Sequence, residues 1–257
     1  MTSILFEKKD GVGIITLNRP DVLNSFDIPM GQSMRKALEE CRDDGSIRAI
    51  YITGNGRAFC AGQDLEEAIA EDGPGIGTIV DETYNPIITL IRTIEKPVIC
   101  GVNGTAAGAG ANIALACDVT FAVEKASFIQ AFSSIGLIPD SAGTFYLPRL
   151  IGMQRAAAMM FSGAKVKATE AESMGMIFRS VEGDSLVEAM DFAKAMAERP
   201  TKGIGLTKRL LNASWQNDLA GQLDMEKALQ IEAAASADHH EGVQAFLEKR
   251  KPVFTGS

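Results

Sequence analysis

The sequence predicts an α/β chain with crossover connections, closed by a helical tail. Two observations carry this. A strand, a glycine-rich turn and a helix follow one another twice, around Ala58-Phe59-Cys60-Ala61-Gly62-Gln63-Asp64 and around Ala106-Ala107-Gly108-Ala109-Gly110-Ala111-Asn112. From Ser141 onward, helical periodicity dominates.

The elements follow in order. Residues 3–8 and 12–17 read as a hairpin around Lys9-Asp10-Gly11, and Asn18-Arg19-Pro20 breaks the second strand. Met30, Met34, Ala37, Leu38 and Cys41 recur at helical spacing over residues 29–41. Residues 47–53 form a strand closed by Gly54-Asn55-Gly56, and the first glycine turn leads into a short helix over residues 65–70. Residues 71–77, rich in glycine, read as a mobile loop. Residues 80–94 are helical with a kink at Pro86. Residue 98–102 is a strand segment entering the second glycine turn, followed by a helix to Cys117 and strands over 119–123 and 127–130. Asp140 is a natural N-cap for the next helix. Gly152-Met153-Gln154 opens another, and further helices span 169–174 and 185–198. Pro200-Thr201 marks the boundary between a core of residues 1–199 and a helical region of residues 200–257, with helices over 204–214, 219–235 and 240–249. The tail has little to pack against by itself, so its apolar faces are expected to cover the core or a neighbouring copy.

Composition limits the function classes. The 257 residues are 46% hydrophobic and 23% charged, as in ordinary globular domains. A net charge of −8 disfavours a general nucleic-acid or anionic-membrane surface, leaving room for a local basic patch. Cys41, Cys60, Cys100 and Cys117 form no CxxC pair and no zinc spacing, so buried reduced thiols are expected. The start lacks a signal-peptide pattern and no apolar run is long enough to span a bilayer, which points to the cytoplasm.

The chemistry narrows to few residues. The glycine turns match neither the dinucleotide fingerprint nor a Walker lysine motif. Two turns at helix starts, brought together, suit a developing oxyanion, although most such turns only turn the chain. His239 and His240 lie together in a polar stretch, which suits a surface or capping role and leaves no Ser-His-Asp triad. Acid–base work therefore falls to other groups. Asp140 follows the uncharged Ile135-Gly136-Leu137-Ile138-Pro139, an environment that raises a carboxyl pKa, although composition alone favours a plain N-cap there. Asp64 suits capping of the helix after it.

Ordered motifs along the whole chain resemble the crotonase, or enoyl-CoA hydratase/isomerase, family. They include Leu17-Asn18-Arg19-Pro20, Phe59 to Asp64, Lys96-Pro97 to Asn103-Gly104, Cys117-Asp118, Ile135 to Asp140, and Glu241-Gly242 with Phe246 to Pro252. The resemblance implies a spiral of ββα units, a C-terminal helical trimerisation region, assembly as a trimer or dimer of trimers, and an acyl-CoA substrate whose coenzyme A is the only group needed. It implies that the Gln63 and Ala109 N–H groups hold the thioester oxygen and that the Ala61 carbonyl meets the adenine. Arg57 falls where a basic residue approaches the CoA phosphates, Asp64 and Leu65 adjoin the first turn, and Phe246 and Lys249 reach CoA, often from a neighbouring subunit.

The departures matter as much. Hydratases of this family carry two glutamates, and Asn112 and Phe132 stand at those positions. Asp140 stands where they usually have glycine. Tyr84-Asn85-Pro86, Ala131-Phe132-Ser133 and Phe254-Thr255-Gly256 add a likeness to the family's ring-epoxide isomerases of phenylacetate catabolism. The implied activity converts ring-1,2-epoxyphenylacetyl-CoA to oxepin-CoA, or moves a 3-enoyl-CoA double bond to the 2 position. A fatty-acid 3,2-enoyl-CoA isomerase, a hydratase-like enzyme, a dehalogenase and a non-enzymatic acyl-CoA-binding protein are the alternatives.

Overall fold

A computed structural model describes residues 2–257. β1 (Ile4–Lys9) and β2 (Val12–Leu17) pair antiparallel. Asp10 and Gly11 between them both take positive φ, 52° and 75°, as the tight hairpin turn that matches strand twist requires. α1 (Ile28–Asp43) starts at Asp27, whose carboxylate accepts from Met30 N at 2.8 Å, and it buries Met30, Met34, Leu38 and Cys41.

β3 (Ala49–Gly54) then opens a step that the chain takes three times. A strand joins a large sheet, a three-residue strand joins a small one, and helices return the chain. β3 is followed by β4 (Ala58–Cys60), α2 (Leu65–Ile69), α3 (Gly75–Ile79) and α4 (Asn85–Thr93). β5 (Val98–Val102) is followed by β6 (Thr105–Ala107) and α5 (Ala109–Ala116). β7 (Val119–Val123) is followed by β8 (Ser127–Ile129), a 3₁₀ turn over Ala131–Ile135, α6 (Gly143–Ile151) and α7 (Met153–Ser162). β9 (Lys165–Lys167), α8 (Ala168–Ser173), β10 (Arg179–Val181) and α9 (Val187–Ala197) complete the spiral. The large sheet has the order β1-β2-β3-β5-β7-β10 and the small one β4-β6-β8-β9. Pairing is parallel throughout the repeats, as crossover connections require.

α10 (Thr201–Ala213), α11 (Leu219–Ala234) and α12 (Ala237–Glu248) form the helical end. α10 is tied to the spiral by buried Lys208, which donates to Asp118 Oδ2 at 2.7 Å and to the carbonyls of Ile91 and Lys96. Arg92 reaches the other Asp118 oxygen at 2.9 Å. All four cysteines are free and buried, as expected from their spacing. No helix among the described residues is long and apolar enough to cross a membrane.

Three expectations need correction. Residues 75–79 are helical, so the supposed loop 71–77 is shorter than its glycines suggest. The four short strands β4, β6, β9 and β10 give little periodic signal and were not foreseen; two of them lie at the glycine turns. Asp140 is not a cap: α6 begins after Ala142, and no side chain caps it. The kink expected at Pro86 takes the form of a π-helical turn over Val80–Tyr84, where Asn85 N–H reaches back five residues to Val80 O. In an unbroken α-helix the proline ring would meet the carbonyl four residues earlier, and the wider turn relieves that clash.

Candidate active site

The two glycine turns are neighbours because β4 and β6 pair in parallel, Ala58 with Thr105 and, past a bulge, Cys60 with Ala106. Each turn leaves the same end of the small sheet. Gly62 has φ 97°, and a methyl group there would sit 3.1 Å from Ala107 O and 3.6 Å from Ala109 N. Only glycine accepts that conformation in that space.

Hydrogen bonds orient the Gln63 peptide. Gly62 O accepts from Phe26 N at 2.8 Å, and Asp64 N donates to Phe26 O at 2.8 Å. A trans peptide points its C=O and N–H in opposite directions, so the Gln63 N–H is turned away from Phe26. It has no partner among the described residues. Ala109 N–H is the first of α5 and is also unpaired, as helix starts leave their N–H groups. The Gln63 side chain is held elsewhere: Oε1 accepts from Tyr84 Oη at 2.8 Å, and Nε2 donates to Glu67 Oε2 at 3.1 Å. Burial pushes the Tyr84 hydroxyl well above its usual range, with the charges of Cys60, Asp140, Glu67 and Asp64 adding to it.

Asp140 comes to the same place through α5. Asn112, three residues after Ala109, donates from Nδ2 to Asp140 O at 2.9 Å. Asp140 is half-buried, and its carboxyl is raised above the usual range by burial, an effect reduced by the Ser141 hydroxyl at 2.9 Å. Phe132 is buried, with its ring edge 3.7 Å from where a methyl group on Gly108 would lie. Cys60 is buried beneath the first turn, and burial pushes its thiol up to about 12, too high for a thiolate nucleophile.

Gln63, Ala109, Asp140, Asn112 and Phe132 are thus brought together by one small sheet and one helix. Asp64 is the N-cap of α2, accepting from Glu66 N at 3.1 Å, and its other oxygen pairs with Arg19 at 2.9 Å. Leu65 and Arg57 are exposed; Arg57 lies at the N-terminal end of β4, opposite the end from which the first turn leaves, and its side chain has no partner among the described residues. Ala61 is half-buried beside Gly62, with its N–H donated to Leu23 O. Phe246 and Lys249 do not join this group. α12 is fastened by Asp238, which accepts from Thr255 N and Gly256 N, while Arg48 holds Phe254 O at the start of β3. His239 and His240 are exposed in the first turn of α12, which is capped by Ser236.

Comparison with known proteins decides the lineage. The enoyl-CoA hydratase/isomerase family model matches residues 7–257. The chain belongs to that family, the crotonases. The chain is 44% identical over 260 residues to the 1,2-epoxyphenylacetyl-CoA isomerase of Escherichia coli (strain K12), covering 100% of this chain and 99% of that one. It is 45% identical over 256 residues to a Rhodobacter capsulatus protein named "Probable enoyl-CoA hydratase", with 99% and 98% covered. The crystal structure of an enoyl-CoA hydratase from Bacillus anthracis superposes with a TM-score of 0.90 at 32% identity, covering 99% of this chain and 100% of that one. This crotonase is an enzyme, and its fold is that of the family.

The sequence reading missed Glu67 and the side-chain roles of Gln63, Tyr84, Asn112 and Gln130. Gln130 was findable, because it is the one strongly polar side chain in Ala126-Ser127-Phe128-Ile129-Gln130-Ala131-Phe132.

Proposed function

We propose that this crotonase is an acyl-CoA isomerase acting through one carboxylate. Gln63 and Ala109 N–H groups donate to the thioester oxygen and stabilise negative charge on it, each worth about 3–4 kcal/mol where such donors have been removed. That polarisation acidifies the carbon next to the thioester. Asp140 takes a proton from C2, the electron pair moves into the enolate and across the 3,4 double bond, and the same proton returns at C4. The product has the atoms of the substrate and needs neither water nor a further cofactor. Oxepin-CoA likewise has the atoms of ring-1,2-epoxyphenylacetyl-CoA, and this is the preferred substrate given the 44% identical isomerase. Arg57, Ala61, Asp64 and Leu65 serve the CoA side in this reading. Phe246 and Lys249 serve a neighbouring copy of a trimer or dimer of trimers.

The observation that carries the proposal is the half-buried Asp140 carboxylate, its pKa raised by burial, on a residue whose backbone carbonyl is tied to the helix that presents Ala109 N–H. Asn112 and Phe132 stand where the family's hydratases hold glutamates, so no acid pair activates water. The test is a product analysis with ring-1,2-epoxyphenylacetyl-CoA, 3-hexenoyl-CoA and 2-hexenoyl-CoA. Isomerisation of the first two without hydration of the third is expected. Hydration of 2-hexenoyl-CoA as the fastest reaction would overturn the reading.

A further inference from the structure

Immediately after Asp140 the backbone is strained. Ser141 and Ala142 have φ of 50° and 57°, two successive side-chain-bearing residues in the left-handed region. Side chains disfavour it, and such strain persists only where the surroundings over-determine it. Here the Asp140 carbonyl accepts twice, from Gly143 N at 2.8 Å and from Asn112 Nδ2 at 2.9 Å. Asn112 Oδ1 in turn accepts from Gln130 Nε2 at 2.8 Å. Both amides are buried, Gln130 completely.

The direction of this chain is fixed by chemistry. A backbone carbonyl only accepts, so Asn112 must face it with Nδ2 and Gln130 with Oδ1. Gln130 must then present its NH₂ group, and its own Oε1 is left buried without a partner. An unpaired buried acceptor is costly, and an apolar residue would avoid the cost. The site is also cleared for Asn112: a methyl group on Gly143 would lie 2.3 Å from Nδ2. Asn112 and the Ala109 N–H share one helix, about 4.5 Å apart along its axis.

We infer that Gln130 and Asn112 are positioning residues, a two-amide clamp that holds the strained turn and so sets the Asp140 carboxylate at a fixed offset from the Ala109 N–H. The inference rests on the isomerase reading above. The position that holds an acid in the family's hydratases serves here to aim one.

The test uses the full chain with 3-hexenoyl-CoA. Gln130→Met keeps volume and lies outside the turn; Asn112→Ala removes the donor itself. Each is expected to lower kcat at least tenfold with KM changed less than threefold. In an Asp140→Asn background, adding Gln130→Met is expected to change the residual turnover less than twofold, because the clamp acts only through that carboxylate. Wild-type kcat in Gln130→Met overturns the clamp, as does a loss that multiplies with that of Asp140→Asn or that arises through KM. Should Asn112→Ala not fold, Gln130→Met alone decides. Full turnover in Asp140→Asn instead overturns the isomerase reading itself.

Discussion

Asp140 is the residue on which the proposed chemistry turns, and burial gives it a signature in both rate and stability. Its folded-state pKa is raised, so the base form needed at C2 disappears as pH falls through that raised value. The acid limb of kcat/KM is therefore expected above the ~3.9 of an ordinary aspartate, and a limb at or below that value in a pH–rate profile would contradict it. For stability the sign is opposite to that of a salt-bridged carboxylate. A raised folded pKa means stability that is full below the unfolded pKa and lost as pH rises through the folded one. Asp140→Asn never ionises, so its melting temperature should exceed the wild type's near pH ~7 and converge with it below pH ~4. In turnover the same variant should lose roughly 10²–10⁴-fold, with thioester affinity kept, as judged by titration with a non-reacting acyl-CoA. The sequence marked this residue because uncharged neighbours precede it. It also allowed an N-cap role, since capping depends on where the helix begins, and that is two residues later than the pattern suggests.

Among the elements, the turn at Gly62 and the helix α10 make contrasting demands. Gly62→Ala must place a methyl group 3.1 Å from Ala107 O at a φ of 97°. A destabilisation of about 1–3 kcal/mol is expected, with a larger fall in kcat/KM, because the strain relaxes by separating Gln63 N from Ala109 N. Denaturant melts alongside kinetics on 3-hexenoyl-CoA would separate the two effects. α10 is pinned by Lys208 against Asp118 and two carbonyls. Lys208→Ala takes one cation from Asp118, which keeps Arg92 and the Val98 N–H, and removes the donor to two carbonyls; it should cost about 1–3 kcal/mol in an unfolding titration. Long helices and the alternating β1–β2 hairpin were legible because their side chains repeat with the element's own period. Three-residue strands have no period to read, so β4 and β6 passed as parts of glycine turns.

For the whole molecule, the helical end leaves large apolar side chains in solvent: Phe246 is 82% exposed, Leu247 70% and Ile231 64%. Exposure of that kind supports the proposed assembly. Light scattering is expected to give three or six times the chain mass, and Phe246→Asp with Leu247→Asp should lower that multiple while the fold persists by circular dichroism. A monomer at micromolar concentration for the unaltered chain would refute the assembly proposal. By itself the sequence determined the family, the α/β class, the two glycine turns and the lone aspartate, because local spacing and ordered motifs are written residue by residue. The tertiary structure alone decided that Cys60 pairs with Ala106, so that Gln63 N and Ala109 N converge. It alone decided that Asn112 reaches the carbonyl of Asp140, 28 residues away. Those choices depend on which strands become neighbours, and strand partnership is set by the packed core as a whole rather than by any stretch of the chain.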